Sequence, residues 1–298
     1  MKIGFFGGTG FFGSSIVRFI NSSKYREKSV FFIGRTPKEN IVSNFLYCDV
    51  SEKTKFPENI KFDVVIHGVS DSTDTSKTLD YQKIEKALES TINIAHFCKR
   101  TAVKKIVYLS SGAVYGPYLV PRKEDFETKL NLLSHENHYA LGKISSETYL
   151  KAFCNHHNLK LNIVRPFAFG GKDFPRTSHY AIGNFVDDAA NGRDLLIKGN
   201  GKDIRSYMHQ DDMVKFLFAI IDDKRDFTIH NLGSEKKIDI KELAEKVIEL
   251  CGVKASINFS PSSSKTYSTY LPDCNRLNND FKIGDQLSLD KIIEDMLV

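Results

Sequence analysis

No stretch of this 298-residue sequence is apolar for long enough to span a bilayer. Its beginning, Met1-Lys-Ile-Gly-Phe-Phe-Gly-Gly, has no charged-then-apolar leader and opens directly on a strand pattern. Nor is there a basic run long enough for a nucleic-acid footprint. The net charge of +5 is spread along the chain and suits a phosphorylated small molecule better than a polynucleotide. Cysteine is scarce: Cys48, Cys98, Cys154, Cys251 and Cys274 are odd in number, scattered, and never at metal-ligand spacing. A disulfide framework is therefore not expected, and reduced thiols in a cytoplasmic protein are. His135, His138, His156 and His157 have no acid or cysteine at ligand spacing, so no metal is expected. Internal repeats and low-complexity linkers are absent too. What is present is the composition of a globular protein, 41% hydrophobic and 27% charged. The length accommodates one large α/β domain, with or without a smaller lobe.

Lys2 to Phe6 reads as a buried strand and Ser14 to Ile20 as a helix. Between them lies Gly7-Gly-Thr-Gly10-Phe11-Phe12-Gly13, a glycine loop in the strand-then-helix context that phosphate binding requires. Glycines there allow a tight turn and let the backbone approach a pyrophosphate at the helix N-terminus. Gly7, Gly10, Phe11, Phe12 and Gly13 are thus candidate dinucleotide contacts. Ser29 to Ile33 is the second strand, followed by Gly34-Arg35. A protein preferring NAD often carries an acid here for the ribose 2′-hydroxyl. Arg35 instead suits a 2′-phosphate and points to NADP, with NAD the alternative.

A third strand, Asn44 to Cys48, ends at Asp49-Val50, placed for the adenine. Phe62 to His67 is a fourth, and Gly68-Val-Ser70 at its end would border the cofactor. Asp71 to Lys77 is a polar loop, and Tyr81 to Arg100 has helical periodicity. Val103 to Leu109 is the next strand and ends in Ser110-Ser111. This alternation predicts an α/β fold with a doubly wound parallel Rossmann sheet. Ligands in such sheets bind beyond the carboxyl ends of the strands, where the glycine loop, Arg35, Gly68 and Ser111 all fall.

Tyr139 and Lys143 are four apart, one helical turn on the same face. An ammonium beside a phenol favours the phenolate, so the pair is expected to lower the tyrosine pKa and make it a proton donor and acceptor. Gly7-x-x-Gly10-x-x-Gly13, Val107-Tyr-Leu-Ser-Ser-Gly-Ala-Val-Tyr-Gly116 and Tyr139-x-x-x-Lys143 occur in that order. Together they resemble the extended short-chain dehydrogenase/reductases, the nucleotide-sugar epimerases, dehydratases and reductases. The resemblance continues through Arg165-Pro166, Arg205-Ser-Tyr-Met-His-Gln-Asp-Asp212, Asn231-Leu-Gly-Ser-Glu235 and Leu271-Pro-Asp-Cys-Asn-Arg276.

The resemblance implies that Ser111 is the active-site hydroxyl and Tyr139 the acid/base. Lys143 would lower the pKa of Tyr139 and bind the nicotinamide ribose. It implies a dinucleotide domain over residues 1–166, with 204–226 returning to it, and a substrate lobe over 167–298. In that lobe Arg205 and Arg276 are candidate diphosphate contacts. His179 and Asn184 belong to a stretch like that of enzymes making dTDP- or CDP-linked deoxysugars. Two departures narrow the chemistry. Sugar 4,6-dehydratases of the family carry Thr-Asp-Glu where this chain has Ser111-Gly112-Ala113, and the missing acids argue against dehydration. Ala168 stands where many epimerases have an asparagine contacting the diphosphate. The implied activity is NADPH-dependent reduction of a keto group, most plausibly the 4-keto group, of a nucleotide-linked 6-deoxyhexose. The rivals are a 4-epimerase that retains NAD and a non-catalytic Rossmann-type regulatory protein. A homodimer through Tyr81–Arg100 and Tyr139–His156 is expected.

Overall fold

The computed structural model describes residues 1–22, 27–38, 41, 44–52, 56–70, 80–176, 180–260 and 268–298. The expected loop Asp71–Lys77 and His179 lie outside the described residues. Along the chain run β1 (Lys2–Phe6), α1 (Phe11–Ser22), β2 (Ser29–Gly34), β3 (Phe45–Tyr47), β4 (Val64–His67), α2 (Asp80–Arg100), β5 (Lys105–Leu109), α3 (His138–His157) and β6 (Lys160–Pro166). There follow β7 (Phe169–Gly170), α4 (Ala181–Ala190), β8 (Leu195–Lys198), β9 (Ile204–Ser206), β10 (Met208–His209), α5 (Gln210–Asp222) and β11 (Phe227–Leu232). The last elements are β12 (Lys237–Asp239), α6 (Ile240–Cys251), β13 (Ile257–Ser260), β14 (Thr269–Tyr270), α7 (Asn275–Phe281) and α8 (Leu289–Leu297). No helix among the described residues is long and apolar enough to cross a membrane.

The chain divides into two compact units. The first comprises Met1–Gly116, Leu130–Pro166 and Leu217–His230. The segment that rejoins it thus starts later than the 204–226 read from the sequence, and 117–129 belongs to the second unit. The first unit holds a seven-stranded sheet in the order β11-β6-β5-β4-β1-β2-β3, and β1 to β6 pair in parallel. The order reverses between β1 and β4, the topological switch point beyond which ligands bind. β4 and β5 are buried at every position, as central strands covered on both faces must be. Phe6, Phe56, Phe62 and Phe97 pack as a ring cluster with adjacent centroids 5.2–6.4 Å apart. Each such burial is worth about 1.5–3 kcal/mol.

α2 and α3 lie against each other, and Gly142 makes the approach possible. A Cβ there would sit 3.0 Å from Ala87 Cβ and 3.1 Å from Lys83 O. This glycine sits between Tyr139 and Lys143, so the close packing fixes the depth of both. α1 begins at Phe11, three residues before the helix read from the sequence, because Gly10 O already accepts from Ser14 N. The glycine loop is correspondingly tighter. Lys105, buried at the start of β5, donates through Nζ to Ile220 O, Ile221 O and Asp223 O at the end of α5. A lysine there satisfies helix carbonyls that would otherwise lack donors.

The second unit comprises Pro117–Lys129, Phe167–Phe216 and Asn231–Val298. It contains the sheet β12-β9-β14 and the pairs β10-β7 and β13-β8. α4, α6 and α8 pack on one another through buried Ile182, Val186, Leu243, Val247, Ile292 and Ile293. α6 starts at a capping box of Asp239 and Glu242 and ends at Gly252, whose φ is 64°. The polar segment Ser256–Ser264 reads as turns, yet Ile257–Ser260 forms β13, paired in parallel with β8. Its alternation is too short and too polar to register as a strand without its partner.

Candidate active site

The glycine loop lies at the carboxyl end of β1. Three of its glycines are dictated by the fold: Gly7, Gly13 and also Gly8, where a Cβ would be 2.9 Å from Phe5 O. Gly7 has φ +80° and a Cβ there would be 2.7 Å from the backbone of Gly68 and Val69. A Cβ on Gly13 would be 1.7 Å from Gly8 O. Gly10 differs: its added Cβ would meet nothing nearer than Gly7 O at 3.9 Å. The protein itself leaves room for a side chain at Gly10, at the head of α1. A pyrophosphate brought against the backbone at a helix N-terminus would fill that room, so the loop fits a dinucleotide. Arg35 follows β2, exposed, with no described residue pairing with it. Asp49 accepts from Ser51 N and Oγ at 3.0 and 2.8 Å, and Val50 O accepts from Asn93 Nδ2 at 2.8 Å. Gly68 packs under Phe5, so the end of β4 is held in place.

Ser111, Tyr139 and Lys143 come together beyond β4 and β5. Ser111 caps a 3₁₀ turn, Gly112–Tyr115, its oxygen accepting from Ala113 N at 3.1 Å. Its hydroxyl also hydrogen-bonds with Tyr139, and so does that of Ser70. Lys143 is buried and donates to Leu109 O at 2.8 Å. Its Nζ lies 5.9 Å from the Tyr139 ring centroid. The expected lowering of the tyrosine pKa is not what the geometry produces. Burial pushes the Tyr139 phenol above its ordinary value, and the hydrogen bonds with Ser111 and Ser70 only partly offset it. Lys143, turned toward a carbonyl, exerts its pull elsewhere. Burial brings Lys143 itself down to about 8, with Glu147 holding it up. Val69, Ser70, Ala87, Ser90, Tyr139 and Lys143, with Lys83 and Lys86, line one cavity.

Residues 5–233 match the family described as the NAD dependent epimerase/dehydratase family. The chain belongs to that family. Among its relatives, a dTDP-D-glucose 4,6-dehydratase of Dictyostelium discoideum is 25% identical over 84% of this chain, which spans 62% of that protein. A UDP-N-acetyl-alpha-D-glucosaminuronate decarboxylase of Bacillus cytotoxicus is 29% identical over 86% of this chain and 82% of its own length. In fold, a UDP-glucose 4-epimerase of Thermotoga maritima, solved with UDP-glucose, superposes with a TM-score of 0.87 at 19% identity. That match covers 100% of this chain and 97% of the other. A UDP-glucuronic acid 4-epimerase of Bacillus cereus, solved with UDP-glucuronic acid and NAD, gives 0.84 at 22% identity over 100% and 98% of the two chains. The epimerase/dehydratase family is one of extended short-chain dehydrogenase/reductases, enzymes of oxidoreductase type.

This family member builds a buried floor around Lys143 that the sequence reading did not assemble. Arg165 donates to Glu147 through Nε at 3.0 Å and Nη2 at 2.6 Å, and through Nη1 to Tyr115 OH at 2.9 Å. That bidentate pair holds the Arg165 guanidinium well above its ordinary pKa. Glu147 lies one turn beyond Lys143, so the signal available was Lys143-x-x-x-Glu147. Alongside, His67 Nε2 lies 2.9 Å from Thr91 Oγ1, and Thr91 Oγ1 lies 2.9 Å from Ser146 Oγ. Ser146 also hydrogen-bonds with Tyr108. Burial, then the charge of Lys143, lowers His67 from 6.5 to about 3, so its imidazole is neutral.

Arg205, Arg276 and Asn184, read from the sequence as substrate residues, lie in the second unit. Arg205 is tied down locally, donating to Ile204 O at 2.9 Å, Ser268 O at 3.2 Å and Ser268 Oγ at 3.1 Å. Arg276 Nε lies 3.6 Å from Glu124 Oε2. Asn184 is half-buried on α4. In the Arg205 to Asp212 motif, His209 Nδ1 accepts from Asp211 N at 3.1 Å, so Nε2 carries the proton and donates to Asp295 at 3.0 Å. That motif's histidine is thus spent on joining β10 to α8. Among the described residues no three His, Cys, Asp or Glu side chains group as metal ligands.

Proposed function

We propose that this chain reduces the 4-keto group of a dTDP- or CDP-linked 6-deoxyhexose with NADPH. The observation that carries the reading is the hydroxyl pair: Tyr139 beside Ser111 at the strand ends, with no carboxylate at Gly112 or Ala113. Such a site can give a proton to a nascent alkoxide and hold its oxygen, and has no acid at those positions to expel water. A nicotinamide bound along the glycine loop would supply the hydride. Tyr139 would protonate the carbonyl oxygen and Ser111 would hold it. Lys143, charged at neutral pH, would bind the nicotinamide ribose. Gly7, Gly10, Phe11, Phe12, Gly13, Asp49, Val50 and Gly68 would cradle the dinucleotide, and Arg35 would meet a 2′-phosphate. Arg205 and Arg276 would take the sugar diphosphate, with Asn184 and His179 contributing to the sugar side.

The second reading is a 4-epimerase retaining NAD, favoured by the epimerases among the structural neighbours, one of them solved with NAD and UDP-glucuronic acid. NADPH oxidation with a panel of 4-keto-6-deoxy nucleotide sugars separates the two, product configuration being assigned by NMR. Stoichiometric consumption of NADPH supports the reductase. Tightly held NAD in the purified protein, with no net consumption, supports the epimerase. We further propose a homodimer through α2 and α3. A monomeric mass by light scattering at micromolar concentration would overturn it.

A further inference from the structure

Arg165, on β6, joins the two elements that carry the reacting hydroxyls. Glu147 lies on α3, one turn beyond Lys143 and two beyond Tyr139, so the three run along one side of the helix. Tyr115 closes the 3₁₀ turn Gly112–Tyr115, whose cap is Ser111. The Arg165 guanidinium donates to Glu147 through Nε at 3.0 Å and Nη2 at 2.6 Å, and to Tyr115 OH through Nη1 at 2.9 Å. The Arg165 and Glu147 side chains are 11% and 10% exposed, and Tyr115 is 1% exposed. Water competes little for bonds made there. Both connections from this bridge to the site are stiff. Ser111 O accepts from Val114 N at 3.2 Å, Ala113 O from Gly116 N at 3.1 Å, and Ser111 Oγ from Ala113 N at 3.1 Å. Tyr115 therefore cannot move without carrying Ser111. On the other side α3 is continuous from Tyr139 to Glu147. Ser110 N donates to Val164 O at 2.7 Å, extending the β5–β6 ladder to the residue before Ser111.

We propose that Tyr115, through its hydrogen bond with Arg165, is a positioning residue that sets Ser111 against Tyr139. The inference rests on the reading of Ser111 and Tyr139 as the groups that hold and protonate the substrate oxygen. A phenylalanine at position 115 would fill the same volume, so packing alone does not call for the hydroxyl. Nor does stability call for the ion pair. Buried pairs contribute little over apolar packing of equal volume, and their best-attested use is to fix register. Here the register is that of α3 against the turn after β5, and it determines the gap between the two hydroxyls. With the tie lost, the turn can shift by a fraction of an ångström. Packing absorbs such a shift, whereas an aligned proton transfer does not.

The test is a double-mutant cycle read in turnover. Tyr115→Phe keeps the ring and the Arg165–Glu147 pair and removes one hydroxyl. It should lower kcat about ten- to hundredfold with KM nearly unchanged. In a Ser111→Ala background the same substitution should cost almost nothing further, because the group it positions is gone. A merely structural role would give the same factor in both backgrounds. Arg165→Lys, which keeps a charge beside Glu147 without the fork, should show the same non-additivity and serves if Tyr115→Phe does not fold. Turnover is followed both as NADPH oxidation with the 4-keto-6-deoxy nucleotide sugars and as 4-epimerisation of UDP-glucose, so the cycle holds for either reaction. A second arm needs no substrate: a crystal structure of Tyr115→Phe should show Ser111 displaced relative to Tyr139. Losses that add across the two backgrounds overturn the proposal, and so do superposable Ser111 and Tyr139 hydroxyls in that structure. Undiminished turnover in Ser111→Ala overturns the reading of the site itself, a failure visible without the Tyr115 variant.

Discussion

The floor and the rim of this site obey different rules. In the floor around Lys143, the residues Arg165, Glu147, Tyr115, His67, Thr91 and Ser146 are buried or nearly so and joined by hydrogen bonds. At the rim, Arg35 is exposed without a described partner, and Gly10 faces space that a methyl group could occupy. Each floor residue is demanded by its neighbours, since an unpaired buried polar group is costly. Its identity therefore reports on the fold. Among the described residues no neighbour demands Arg35 or a glycine at position 10, so packing does not account for those identities. The same contrast exists within the glycine loop, where Gly13 is required by Gly8 O and Gly10 is not.

The comparison can be broken most severely at the boundary between floor and rim. Tyr139→Phe removes one hydroxyl and should cut turnover by about 10²–10⁴-fold while leaving the thermal midpoint near wild type. A floor-like loss of stability instead, with turnover spared, would show that the phenol serves packing. Glu147→Ala is the sharpest break of the floor itself. It leaves Arg165 buried without its carboxylate and should cost about 3–5 kcal/mol in chemical denaturation. Replacing both partners by apolar residues of similar volume should recover much of that.

The rim should respond in the opposite way. Arg35→Asp should leave stability within about 0.5 kcal/mol of wild type. By calorimetry the wild type should bind NADPH at least tenfold more tightly than NADH, a charge-assisted bond being worth about 1.5–3 kcal/mol. The substitution should reverse that preference, and rising salt should shrink it. Equal affinities in the wild type would return Arg35 to the solvated surface and favour the epimerase reading.

The smallest effect is a pH slope. His67 in the folded chain is lowered from 6.5 to about 3, so between those values the unfolded chain binds the extra proton. Stability should therefore fall as pH drops through that window and be fully present above 6.5. Carboxylates also titrate there, so the measurement is the difference between wild type and His67→Gln, whose slope should be shallower. Parallel slopes would mean that His67 is not the neutral buried imidazole its surroundings require.

Residues acting within a few positions of one another were legible in the sequence. The glycine loop declared itself by spacing between a strand and a helix, and β1 fell where its pattern placed it. So did the order of a doubly wound sheet and the membership of one family, because strand burial and loop glycines are local demands. β13 went unread because its partner β8 lies about sixty residues away, and pairing, not pattern, makes it a strand. The tyrosine–lysine spacing correctly put two side chains on one helix face, but spacing carries no information about where an ammonium points. Only the packing of α3 beside β5 turned Lys143 toward Leu109 O and left Tyr139 to Ser111 and Ser70. Sequence by itself determined which chemical groups are available; tertiary structure decided which of them touch, because burial and direction arise from elements distant along the chain.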